Sequence, residues 1–177
     1  ISSTTPSDIN ITVSATFFNL PQQKIYLNAY TGLYMEVLDS VMMTHDKRVE
    51  FNTPIKKGMY QIETEYGSTF DFLYDDSSVK FIVKDFYDLS SVEFIDSQLN
   101  TDWYAYLNFK EKILKSLDIL KPILREYDEN SEFYMDAKNE YQLLQDKFIS
   151  FTDSLMVHDN YASNLIKVDR FTPLSLD

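Results

Sequence analysis

Two dipeptides in this chain set an imidazole beside a carboxylate, His45-Asp46 and His158-Asp159. A histidine next to an acid can serve as a general base, provided a nucleophile lies within hydrogen-bond reach. No nucleophile motif surrounds either pair, and both positions suit turn chemistry. The first sits in a tight turn and the second at a helix end, where an imidazole complements the dipole. Asp71, Asp75 and Asp76 could gather a hard cation, but they follow neither an EF-hand loop nor a regular acidic repeat, so a solvated turn is expected there. Two distant histidines and no cysteine cannot close a zinc site. No glycine-rich phosphate loop is present. The expectation is therefore no catalytic residue, no metal and no cofactor. The sequon Asn10-Ile11-Thr12 falls inside an expected strand, the wrong context for a glycosylated loop.

The remaining candidates are aromatic. Trp103-Tyr104-Ala105-Tyr106 is the densest aromatic cluster outside the strands. Helical spacing turns Trp103 and Tyr106 inward and Tyr104 away. Such a cluster can pack a helix onto a sheet. It can also line a groove at the β–helix junction that accepts a ligand or a partner segment. Trp103, Tyr104 and Tyr106 are the candidate partner- or ligand-binding residues.

The elements that must position these residues are legible from a change of hydrophobic period near Ser97. Before it, apolar residues alternate, as in Ile25, Leu27 and Phe70, Phe72, Tyr74; after it they recur at three and four, as in Ala137, Tyr141, Leu144, Phe148. Strands are expected at 9–18, 24–30, 36–44, 49–53, 59–65, 69–74, 79–84 and 92–95, joined by tight turns too short for βαβ crossovers. A first helix capped by Ser97 or Asn100 follows, with a kink or break at Pro122. Ser131 caps a second helix running to about position 158, and Asn160 caps a short third. The short 128–130 connection forces the two long helices antiparallel, with Leu117 near Tyr141 and Trp103 near Leu155. The first helix is basic and the second acidic, which agrees with that register.

The fold class is thus α+β: an N-terminal antiparallel β-sandwich or open barrel of seven or eight strands, then a long antiparallel helical hairpin and a short third helix. The expected organisation is a polar tether (1–8), a β-sandwich domain (9–96), a helical hairpin subdomain packed on it (97–171), and a tail leading to an absent C-terminal domain (172–177).

Composition narrows the partners. The chain has 177 residues, 16 basic against 28 acidic side chains, and a formal charge of −12. That field disfavours nucleic acid and anionic lipid surfaces. The absence of cysteine removes disulfides and thiol chemistry from this stretch. No run of about 18 apolar residues could span a bilayer. The start at Ile1 without methionine suggests a trimmed N-terminus.

Several short motifs carry a family resemblance. Asn19-Leu20-Pro21 followed by Lys24-Ile25-Tyr26-Leu27, Asp39-Ser40 with Phe51, Lys57-Gly58-Met59-Tyr60, and Ser97, Asn100, Tyr104 and Tyr106 occur in order. In this the chain resembles the N-terminal domain of TlpA/ResA-like thiol:disulfide interchange proteins of the Bacteroidetes-type envelope, over roughly 9–170. Ala15 and Lys47 stand where that family commonly has glycine. The resemblance implies a non-catalytic recognition or assembly domain in the periplasm or cell envelope. Its partner would be another protein or its own C-terminal thioredoxin domain, with a homodimer as one assembly. The membrane would be met only through a lipid anchor upstream of residue 1. The alternative is a stand-alone surface lipoprotein whose β-sandwich binds a carbohydrate or peptide.

Overall fold

The structure, a computed structural model, describes residues 13–85, 87–88 and 91–170. The expected tether, the sequon and the tail at 172–177 lie outside the described residues. The fold is α+β, with eight strands in two four-stranded sheets, followed by three helices. The chain divides into two compact units, 1–100 and 101–177.

In the first unit the strands are β1 (Val13–Phe17), β2 (Lys24–Thr31), β3 (Tyr34–Met42), β4 (Arg48–Phe51), β5 (Gly58–Thr64), β6 (Thr69–Tyr74), β7 (Val79–Val83) and β8 (Val92–Ile95). One sheet has the order β4-β1-β7-β8 and the other β3-β2-β5-β6. Period-two alternation decides which side chains go inward. Val13, Ala15 and Phe17 of β1 are buried, while Ser14 and Thr16 are only half-buried. Rings join the two sheets: Phe81 of β7 meets Phe70 of β6 edge-on at 4.9 Å and Phe72 at 5.9 Å between centroids. The core of this unit lies there.

One expectation is corrected. The pairing is not wholly antiparallel, because β1 and β7 run parallel, Val13 opposite Val79 and Phe17 opposite Val83. A parallel pair needs a long crossover. Here the crossover consists of strands: the chain between β1 and β7 holds all of the second sheet as well as β4. Lys47, in the turn before β4, has a left-handed backbone with φ 61°, the conformation that glycine adopts without steric cost. Its ammonium donates to the carbonyl of Leu20 at 2.9 Å.

Asn100 closes the first unit. Its side chain accepts from the Leu73 N–H at 2.7 Å and donates to the Leu73 carbonyl at 2.8 Å. It thereby satisfies two backbone groups of a buried strand residue, the kind of groups that cost most when left unpaired.

The helices are α1 (Gln98–Glu126), α2 (Glu132–Met156) and α3 (Tyr161–Asp169). Ser131 caps α2 by accepting from the Tyr134 N–H, and Asn160 and Ser163 form a capping box on α3. Of the kink or break expected at Pro122, the break does not occur: α1 runs one more turn beyond it. Pro122 is exposed, so water can reach the carbonyl that loses its donor. Within the second unit, Tyr106 meets Phe148 at 6.2 Å, and Phe109 meets Phe151 at 4.2 Å. The basic residues of α1 do not reach α2 as expected. Among the described residues Lys115 pairs with Glu111, Lys121 with Asp118 and Arg125 with Glu126, all on α1, while Lys110 pairs with Asp169 of α3. The Glu111–Lys115 and Asp118–Lys121 pairs, four and three apart on one helix, need no second element and win by proximity.

Candidate functional site

The aromatic candidates are interior residues. Trp103, Tyr104 and Tyr106 are 7%, 4% and 0% exposed. This corrects the outward placement of Tyr104. Trp103 stacks on Tyr106 at 5.5 Å. The Tyr106 hydroxyl donates to Asp169 at 2.9 Å, and Lys110 donates to the same carboxylate at 2.7 Å. Lys110 also lies over the Tyr106 ring, 5.6 Å from its centroid. Burial, and then the Asp169 carboxylate, push the Tyr106 hydroxyl well above its ordinary range. Burial alone would raise the Asp169 carboxyl, but hydrogen bonds from Lys110 and Tyr106 outweigh it and hold the group below its usual range. The arrangement ties α3 to α1.

His158 pairs with an acid, but not with its neighbour in sequence. Its Nδ1 lies 2.6 Å from Oδ2 of Asp102, a buried carboxylate on α1, while Asp159 takes a left-handed turn and faces solvent. An imidazole–carboxylate pair can orient a general base. Among the described residues no hydroxyl hydrogen-bonds to His158, and the contact gives the buried Asp102 side chain a hydrogen-bond partner. His45 is exposed. Asp71 accepts from Tyr30 at 2.7 Å and from Gln61 at 3.0 Å, so it is engaged on the surface of its sheet. Among the described residues no three acids or histidines gather as a cation site.

Two features of the first unit were not foreseen. One is a trough of about 740 Å³ on the outer face of the β4-β1-β7-β8 sheet. The central strand β1 contributes short hydroxyl side chains there, Ser14 and Thr16. Its neighbours contribute long ones: Glu50 and Lys80 flank Ser14, and Arg48 and Ile82 flank Thr16. Small residues between large ones make a floor with walls. Phe18 and Met42, both exposed, add apolar surface. Asp46, Glu50, Arg48 and Lys80 make no ion pair among the described residues. The trough therefore offers both signs of charge, two hydroxyls and an apolar rim.

The other feature is the β2–β3 hairpin. Its loop is two residues, Gly32-Leu33, with Gly32 at φ 65° and Leu33 on the ordinary side of the map, the pattern of a type II′ turn. Leu33 is 98% and Tyr34 79% exposed, and Met35 and Val37 are exposed beside them. β3 is an edge strand. It carries no lysine and no proline, and its guards against further pairing are Glu36, Asp39 and the register shift at Leu38. The signal was in the sequence, since Leu33-Tyr34-Met35 follows a turn glycine without alternation.

No helix among the described residues is long and apolar enough to cross a membrane. No family model matches the chain, and neither the curated proteins nor the solved structures contain a match to it.

Proposed function

We propose that this chain is a non-catalytic recognition and assembly module, the N-terminal domain of a cell-envelope thiol:disulfide oxidoreductase. In this reading the two sheets form a β-sandwich, and α1 and α2 form an antiparallel helical hairpin. The observation that carries the recognition role is the exposed apolar tip of the β2–β3 hairpin, Leu33, Tyr34, Met35 and Val37. Contiguous exposed apolar surface of this kind marks contact sites, and rigid aromatic anchors supply most of the affinity in such contacts.

Support for the family reading comes from where the resembling residues fall. Lys57-Gly58 opens β5, Asp39 accepts from Thr53 at 2.5 Å, and Asn100 bonds both the Leu73 backbone and Ser97. These are positions at which a fold constrains sequence.

The test is the parent polypeptide. A C-x-x-C pair downstream of Asp177 is expected in the same reading frame. In that full-length protein, Leu33→Asp with Tyr34→Ser should slow exchange with a protein disulfide and leave reduction of a small aromatic disulfide unchanged. A frame without C-x-x-C, or equal losses on both substrates, overturns the reading.

The trough on the outer sheet face favours a second reading, a stand-alone surface protein that binds a peptide. Its lining holds no tyrosine or tryptophan on which a sugar could stack, whereas its hydroxyls and paired signs of charge suit a peptide backbone with mixed termini. Calorimetric titration with short peptides and glycans separates the two ligands.

A further inference from the structure

We propose that the trough on the β4-β1-β7-β8 sheet holds an extended segment of another protein that carries a base, an acid and a base at every second residue. The inference rests on the peptide-binding reading of the trough and specifies the sequence pattern it takes.

One wall of the trough is a single stretch of chain, the turn before β4 and β4 itself. Within it Val49 is buried, and Lys47 turns its ammonium to the Leu20 carbonyl. Asp46, Arg48 and Glu50 are left to line the trough, all exposed, in the order acid, base, acid. A strand sets alternate residues on one face, so Arg48 and Glu50 stand about 6–7 Å apart along the chain. An extended ligand lying against this wall repeats its own side chains at the same interval. Its complementary pattern is base, acid, base at positions i, i+2 and i+4.

The opposite wall agrees with that pattern. Ser14 lies between Glu50 and Lys80, and Thr16 lies between Arg48 and Ile82. The middle of the trough is therefore bounded by two cations on a diagonal, Arg48 and Lys80, with two hydroxyls beneath them. Neither hydroxyl has a hydrogen-bond partner among the described residues. This is a place for a carboxylate, and Asp46 and Glu50 stand to either side of it for two flanking cations. None of these four charged side chains is held in an ion pair among the described residues, so a ligand enters without breaking one.

Other ligands match only part of the trough. A phosphate would use Arg48 and Lys80 and be repelled by the acids beside them. A polyamine would use the acids alone. A neutral sugar finds no tyrosine or tryptophan in the lining on which to stack. Signs of charge that alternate at the period of a strand match a polypeptide.

Each exposed ion pair is weak by itself, and all three form together in one spacing only. Spacing is therefore the readout. The probe is the pentapeptide K-T-E-T-K with acetylated and amidated ends, and its isomer T-K-E-K-T has the same composition and net charge. In an NMR titration of the chain at low ionic strength, K-T-E-T-K should bind about tenfold or more tightly than its isomer. The amides of Ser14, Thr16 and Lys80 should report it, and added salt should weaken it. Arg48→Gln and Glu50→Gln, both at exposed positions, should each bring the two peptides within about threefold of one another. Lys112→Gln, on α1 and outside the lining, should leave the preference unchanged.

Equal binding of the two isomers overturns the proposal, as does a preference that survives both substitutions in the wall. A random pool of pentapeptides with free termini tests the underlying reading separately. Trough shifts with that pool, and none with blocked K-T-E-T-K, sink the side-chain pattern and leave peptide binding standing. No trough shifts with either sink both.

Discussion

The aromatic turn of α1 and the tip of the β2–β3 hairpin are similar in composition and opposite in fate. Trp103, Tyr104 and Tyr106 are buried, with Phe148 against Tyr106 and Asp169 on its hydroxyl. Leu33, Tyr34, Met35 and Val37 stand in solvent on an edge strand. The helix finds complementary residues on α2 and α3 of its own unit. Among the described residues the outer edge of β3 finds no further strand. Burial here follows the supply of a matching partner, and composition alone does not decide it.

The sharpest way to break the comparison is to hollow out the buried side. Tyr106→Ala removes a fully buried ring and should cost about 3–5 kcal/mol. For a chain of this length that lowers Tm by roughly 10 °C, readable by circular dichroism. A shift of only a degree or two would mean the α1 cluster is no more structural than the hairpin.

A smaller effect lies in the charge beneath that ring. The folded Asp169 carboxyl titrates below its unfolded value, which is about 4. Its contribution to stability is therefore complete above that value and fades as pH falls through the folded pKa. Wild type should be more stable than Asp169→Asn near neutrality, and the two denaturation curves should converge in acid. Curves that stay parallel down to pH 2 would remove Asp169 from the list of stabilising groups.

The smallest change is expected on the exposed side. Leu33→Asp with Tyr34→Ser should alter unfolding free energy by no more than about 0.5 kcal/mol, the ordinary range for surface positions. A large loss in guanidinium titration would assign the tip to the interior and erase the contrast.

How much of this was legible beforehand depended on the kind of signal. Strand positions followed from alternation, and Ser131 and Asn160 announced their helices through capping chemistry. The parallel β1–β7 pair was hidden, because period two specifies which face is buried and not which way a neighbour runs. Tyr104 was misplaced because a helical wheel assumes one packed face. Asp102 gave no linear signal, because the acid adjacent to His158 in sequence is Asp159 and Asp102 lies 56 positions away. The trough had no linear signature, since its floor and walls come from strands distant in the chain.

The parallel strand pair also governs the order in which the molecule can be made. Val13 leaves the ribosome ahead of its neighbour Val79, which follows only after an entire sheet has been synthesised. The hairpins β2–β3 and β5–β6 close locally and can form during that interval, while β1 must wait with one flank open. Nascent chains stalled before β7 should be the most chaperone-dependent species in the life of this protein.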